Sequence, residues 1–256
     1  MRVHLVTYAC GSVFEQTQKF IVDTIQSQTT HEVVLHAHTY ESIQKKTWFE
    51  DLNYISKYDY HGHRDNNLYC SYKIFLMIDA YNIMGDDDVV YWVDSSQHFR
   101  NGFEQNIDRL VDATKKYGMI AGSYGNDVLN NSRGDDACLH KRHVWDASGN
   151  GHLFDTHITK PHLLISWFLL AKNEKSRLFL REWLRLFNTH TPEGEPIVVQ
   201  QHTAEQALFN LATYRFSDIF TFHHPDIMHD QNKDRNVVHR ILNSTDDWDK
   251  YFVNLS

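Results

Sequence analysis

Cysteine is scarce in this 256-residue chain. Cys10, Cys70 and Cys138 are widely spaced and in no metal-type pattern. An odd, sparse set of thiols argues against a disulfide scaffold and suits a reducing compartment. Long apolar runs are missing as well. None approaches the ~18 residues of a membrane span, and the longest, around residues 163–171, is interrupted by Ser166. The chain opens on strand-like material from Val3 onward, without the apolar core of a secretory signal. The expectation is a cytoplasmic protein with no membrane span, with recruitment to a membrane by a partner left open.

Positive charge is not in excess either. A formal net charge of −8 excludes a dominant nucleic-acid or anionic-membrane footprint, though it leaves room for a local basic pocket that takes a diphosphate. No Gly-x-Gly-x-x-Gly follows the first strand, only Ala9-Cys10-Gly11, which disfavours a dinucleotide fold. No repeat, linker or low-complexity tract divides the chain. Residues 1–256 therefore read as a single domain, long enough for a sizeable core.

What is present centres on Asp86-Asp87-Asp88-Val89-Val90-Tyr91-Trp92-Val93-Asp94-Ser95-Ser96. Five β-branched and aromatic residues in a row, too short for a free-standing helix, read as a strand buried on both faces. Asp94 then stands at its C-terminal end, where open α/β sheets place their ligands. Upstream, Leu68, Tyr72, Phe75, Leu76, Ala80 and Ile83 share one helical face, and Gly85 stops the helix. Asp86, Asp87 and Asp88 precede the strand, at the end away from the crevice, and read as a solvated turn.

Elsewhere, residues 3–9 read as a first strand. A helix follows, opened by a Ser12/Glu15 capping box, with Phe14, Ile21 and Ile25 as its buried stripe, ending near Gln28. Residues 32–38 form a second strand, alternating less than an edge strand would, and parallel to the first through a right-handed crossover. Tyr58-Asp59-Tyr60-His61-Gly62-His63-Arg64 reads as a loop. A helix over 103–117 buries Phe103, Ile107, Leu110, Val111 and Thr114 and ends at Gly118, before a short strand over 119–122. Residues 123–157, rich in Gly, Asn, Asp and His, read as irregular and as an acceptor-side loop or lid. There Asp135, Asp136, Asp155 and His157 are candidates to bind donor or acceptor hydroxyls. A buried strand over 161–171 leads to a helix capped by Asn173, with the stripe Phe179, Leu180, Trp183, Leu184 and Phe187. A last helix covers residues 204–213.

These features together resemble the nucleotide-sugar glycosyltransferases of GT-A fold, whose sheet ends in an Asp-x-Asp or a degenerate form of it. Here the third position is Ser96. The resemblance implies an α/β chain, a single Rossmann-like domain with a mostly parallel mixed sheet flanked by helices. It implies an enzyme that moves a hexose, such as galactose or glucose, from a UDP-sugar to a glycan or glycoconjugate acceptor. Glu205 and Gln206 resemble the acid–Gln pair that opens a helix beside the transferred sugar in that family. They also suit a Thr203/Gln206 capping box, with Glu205 on the helix dipole.

The family's first strand end implies that the nucleotide lies at Thr7, Tyr8 and Ala9, with Tyr8 stacked on the base. Arg64, Lys73, Asp94, Ser95 and Ser96 would then line the path to the diphosphate. Asp94 is the expected ligand of Mn²⁺ or Mg²⁺, with His223 or His224 completing the site as a C-terminal His does in some members. Without a carboxylate at Ser96 that cation is expected to be weakly held. Asp94, Glu205 and Gln206 are the catalytic candidates, and the reading favours retention of configuration. Two other readings stay open: a metal-dependent hydrolase, which lacks a compact His-x-x-x-His pair, and a non-catalytic glycan-binding module with a decayed donor site.

Overall fold

The computed structural model describes residues 1–10, 12–50, 72–95, 106–127, 139, 141–158, 161–189, 204–216, 220–222 and 252–254. In chain order, β1 (Arg2–Ala9) leads through α1 (Ser12–Ile25) and a 3₁₀ turn (Gln26–Gln28) to β2 (Glu32–Thr39) and the short α2 (Tyr40–Ile43). Next come α3 (Tyr72–Ile83), β3 (Val89–Val93), α4 (Asn106–Tyr117) and β4 (Met119–Asp127). The rest comprises α5 (Arg142–Ser148), α6 (Phe154–His157), β5 (Pro161–Ala171), α7 (Glu174–Phe187), α8 (Ala204–Tyr214) and an antiparallel pair, β6 (Phe220–Phe222) with β7 (Phe252–Asn254).

Five strands form one mixed sheet in the order β2-β1-β3-β5-β4. β1 runs parallel to β2 and β3, while β5 is antiparallel to both its neighbours. The C-terminal ends of β1 and β3 thus lie beside each other, and β5 enters the sheet at that same edge. The expected mixed α/β sheet flanked by helices is the observed architecture.

Alternation along each strand builds two cores. Val90 and Trp92 face one side of the sheet with Val6, Tyr8, Phe168 and Leu170, and are covered by α3, α7 and α8. Val89, Tyr91 and Val93 face the other with Val3, Leu5, Trp167 and Leu169, and are covered by α1 and α4. Every residue of β3 is buried, as the unbroken apolar run requires for a strand covered on both faces. Gly118 adopts φ +90 and caps α4, its N–H donating to the Thr114 carbonyl at 2.7 Å.

Several details differ from the sequence reading. β2 is an edge strand, with Leu35 exposed. Phe14 and Ile83 are exposed rather than buried. The α3 stripe is wider than a single face because Tyr72 to Met77 are all buried, the helix being wedged between the sheet and α7. The stretch 123–157 is not irregular throughout: it completes β4 and carries α5 and α6. Trp145 anchors it in the core, its indole donating to the Leu139 carbonyl.

Asp88 is the clearest correction. It is not solvated: 5% exposed, it accepts from the backbone N–H of Gly85 and Arg2, from the Arg2 guanidinium and from His4 Nε2. It ties the start of β3 to the start of β1. Asp87, by contrast, is exposed. Among the described residues, no helix is long and apolar enough to cross a membrane.

Candidate active site

Asp94 follows β3 directly, and its backbone N–H donates to the Ser166 carbonyl of β5 at 2.9 Å. Carrying the β1–β3 register on from Val6 opposite Trp92 sets Asp94 level with Tyr8. Two residues after Trp92, Asp94 lies on the same face of the strand, towards α3 and α8. The Trp92 indole N–H donates to Asp94 Oδ1 at 2.8 Å. Trp92 is fixed in the core, so it holds the carboxylate at the strand end.

From α3, Lys73 reaches the same oxygen. Its Nζ lies 3.0 Å from Asp94 Oδ1 and 3.4 Å from Glu205 Oε1. The ammonium sits 5.5 Å from the centre of the Trp92 ring, a cation–π distance. Lys73 is only 3% exposed, so it is not the solvated charge that its place on a helix suggests. Its neighbours Tyr72, Ile74 and Phe75 are buried too.

Glu205, in the first turn of α8, is buried. Burial pushes its carboxyl up. The Lys73 ammonium and its own backbone N–H oppose that shift, and the Asp94 charge adds to it. Oε2 of Glu205 is buried and makes no hydrogen bond among the described residues. Such an atom costs free energy unless a ligand, water or proton meets it. Gln206 is buried as well, and its Oε1 accepts from the Ile165 N–H of β5 at 3.4 Å. It therefore braces α8 against the sheet.

The structure thus brings together Asp94, Lys73 and Glu205, from three separate elements, with Gln206 and Ser95 adjoining. Thr7, Tyr8 and Ala9 close the neighbouring strand end, and all three are buried. Tyr8 packs against Tyr72, centroids 4.0 Å apart, because its side of β1 is roofed by α3. Any nucleotide at this edge would meet backbone groups there.

Arg64, Ser96, His223, His224, Asp135 and Asp136 lie outside the described residues. Asp155 is exposed and pairs with Arg142 at 3.1 Å. His157 is buried beside Tyr214, ring centroids 5.4 Å apart, and serves packing at α6. The part played by Trp92 was missed. The i, i+2 spacing of an indole and a carboxylate on one strand face was the available signal.

Among the described residues, the two converging oxygens, Asp94 Oδ1 and Glu205 Oε1, do not fit a divalent cation. Such an ion needs several anionic or neutral oxygens at ~2.0–2.6 Å. Asp94 Oδ1 already carries an ammonium and an indole N–H, and Glu205 Oε1 faces that same ammonium. No group of three metal-ligating side chains occurs among the described residues.

No family model matches the chain, and no curated protein does. Among solved structures it is similar to apo mouse xyloside xylosyltransferase 1, at TM-score 0.45 and 9% identity, covering 86% of this chain and 84% of that one. Function is therefore read from the side chains at the crevice.

Proposed function

We propose that this chain is a glycosyltransferase that uses a nucleotide sugar, with the donor lying across the C-terminal ends of β1 and β3. One observation carries the reading. Asp94, Lys73 and Glu205, far apart in sequence, converge at the strand ends of an α/β sheet, where ligands of such sheets bind. A structural ion pair has no need of a fully buried glutamate with an oxygen left over.

The donor is a UDP-sugar and the transferred group a hexose. The base lies against the backbone of Thr7, Tyr8 and Ala9, and the ribose and diphosphate near Asp94 and Ser95. The sugar reaches Glu205 and Gln206. In transfer, the bond from the anomeric carbon to the diphosphate oxygen breaks, and the acceptor hydroxyl oxygen bonds to that carbon. The nucleoside diphosphate leaves with the electron pair and the hydroxyl proton passes to it or to water. Retention of configuration suits this site, because a retaining transfer needs no strong base beside the acceptor.

The test is a titration with UDP, GDP, CDP and ADP, followed by donor turnover with and without candidate acceptors. UDP should bind best, and a glycoside should form only when an acceptor is present. Tight GDP binding would displace the donor assignment. Sugar release alone, with no glycoside from any acceptor, would mark a hydrolase. Absence of any nucleotide binding would leave the glycan-binding module.

A further inference from the structure

We infer that Lys73 fills the cation position of this site, so that its anionic ligand is bound without a divalent metal. The inference deepens the donor-site reading above and rests on it for the identity of the ligand. Its physical basis is separate. Two carboxylates aimed at one point are the usual means of holding a metal ion. Here the point is taken by the Lys73 nitrogen, 3.0 Å from one carboxylate oxygen and 3.4 Å from the other.

The ammonium is not a casual occupant. It cannot retreat to solvent, because Lys73 is buried along with its helix neighbours and its charge rests over the Trp92 ring. A divalent ion on the same oxygens would meet a fixed positive charge in a poorly screened interior. Asp94 is turned outward from this arrangement, its side chain 26% exposed. Its Oδ1 is held by Trp92 and Lys73, which leaves Oδ2 to accept from a hydroxyl of the donor. Compensated by Lys73, Asp94 can face an anionic ligand without repelling it as a bare carboxylate would. Lys73 is thus a positioning residue, acting through Asp94 and Glu205.

Two measurements on the full chain decide this. The first is calorimetric titration with UDP in excess chelator and again in excess Mn²⁺. The second is the paramagnetic resonance spectrum of Mn²⁺ mixed with the protein alone. Wild type should bind UDP equally in both buffers and leave the Mn²⁺ spectrum that of the free ion. Lys73→Ala should lose UDP affinity roughly tenfold or more in chelator, the scale of a lost charge-assisted contact. Added Mn²⁺ should restore it, and the variant should bind the ion. Lys73→Arg should keep chelator-insensitive binding.

Mn²⁺ bound by the free wild type, or UDP binding that requires Mn²⁺, would overturn the inference. So would Lys73→Ala with wild-type affinity in chelator. If Lys73→Ala does not fold, the wild-type and Lys73→Arg results decide alone. If no nucleotide binds in either buffer, the donor reading fails, while the Mn²⁺ spectra of wild type and variants still judge Lys73.

Discussion

Asn210 on α8 holds both backbone groups of Leu163 on β5. Its Oδ1 accepts from the Leu163 N–H at 2.8 Å, and its Nδ2 donates to the Leu163 carbonyl at 3.1 Å. The reason lies in the sheet. β4 pairs with β5 at Phe168 and again at Leu163, with a register shift between the two, so the ladder is interrupted around Ile165 and Leu163. Buried backbone groups must be satisfied, and Gln206 and Asn210, one turn apart on α8, supply partners where the ladder is irregular. The same two contacts fix α8 against the sheet and hold Glu205 over the crevice. Asn210→Ala should therefore destabilise the fold by roughly 1–3 kcal/mol for each backbone group left unpaired. Chemical denaturation measures it; a variant as stable as wild type would show that the clamp is dispensable.

The two neighbouring acids before β3 should behave in opposite ways. Asp87 is an exposed partner of Lys115, and Asp87→Ala should change stability by no more than about 1 kcal/mol. Asp88→Ala strands several buried donors and should cost roughly 3 kcal/mol. Burial pushes the Asp88 carboxyl up, but the Gly85 N–H, the Arg2 side chain and N–H, and His4 outweigh it and hold it well below the usual carboxylate range. A depressed carboxyl stabilises above its unfolded pKa, about 3.9, and that contribution fades as the pH falls below it. Acid unfolding of Asp88→Asn should lack this component; matching acid transitions in variant and wild type would refute the assignment.

His36 and His38 act in a higher pH window. Burial, then the nearby positive charges, lowers each to about 4. Unfolded, they take up protons near pH 6.5, while the native state resists until about 4. The unfolded chain binds more protons in between, so stability should fall as the pH drops from about 6.5 to about 4. Melting temperatures of wild type and His36→Gln/His38→Gln across that range check this. The double variant should show the flatter profile, and parallel profiles would contradict it.

Much of this was legible because short-range signals agreed with the fold. The buried strand Val89–Val93, the strand Pro161–Ala171 and the Asn173 cap follow from runs and caps that tertiary packing did not override. Phe14 and Ile83 misled because periodicity says which residues share a face, not how far the covering layer extends. The burial of Lys73 and of Asp88 was unreadable for a different reason. Each is a charge whose burial depends on partners far along the chain, such as Glu205 for Lys73 and Arg2 for Asp88. No local pattern announces a pairing of that kind. Asp94 was identified as a site candidate from its position at the strand end, but its bond to Trp92 and its pairing with Lys73 emerged only from the three-dimensional arrangement.

Asp94→Ala should leave a folded chain that does not transfer. The substitution removes the outward carboxylate and one of the two carboxylates beside Lys73. A loss of about 10²-fold or more in turnover is the scale expected for removing one preorganised polar group from a reacting centre. Asp94→Asn keeps the shape and an acceptor oxygen but not the charge that balances Lys73, and should fall between the two. Wild-type turnover in Asp94→Ala would exclude this residue from the site.

Glu205→Gln separates a helix cap from a sugar contact. The amide is isosteric, and its oxygen can still accept from Lys73 across the 3.4 Å contact. It also removes a carboxyl whose burial disfavours its charge, so the native state should keep its stability within about 1 kcal/mol. If Glu205 only caps α8, turnover follows stability and stays ordinary. If the unpartnered Oε2 faces the transferred sugar as a carboxylate acceptor, replacing it with an amide N–H turns an acceptor into a donor. Turnover should then fall by about 10²-fold at saturating donor, with UDP affinity unchanged because the nucleotide half lies elsewhere in the crevice. Product formation and UDP titration on the same preparation test both halves, and ordinary turnover with a lowered melting point would return Glu205 to a purely structural role.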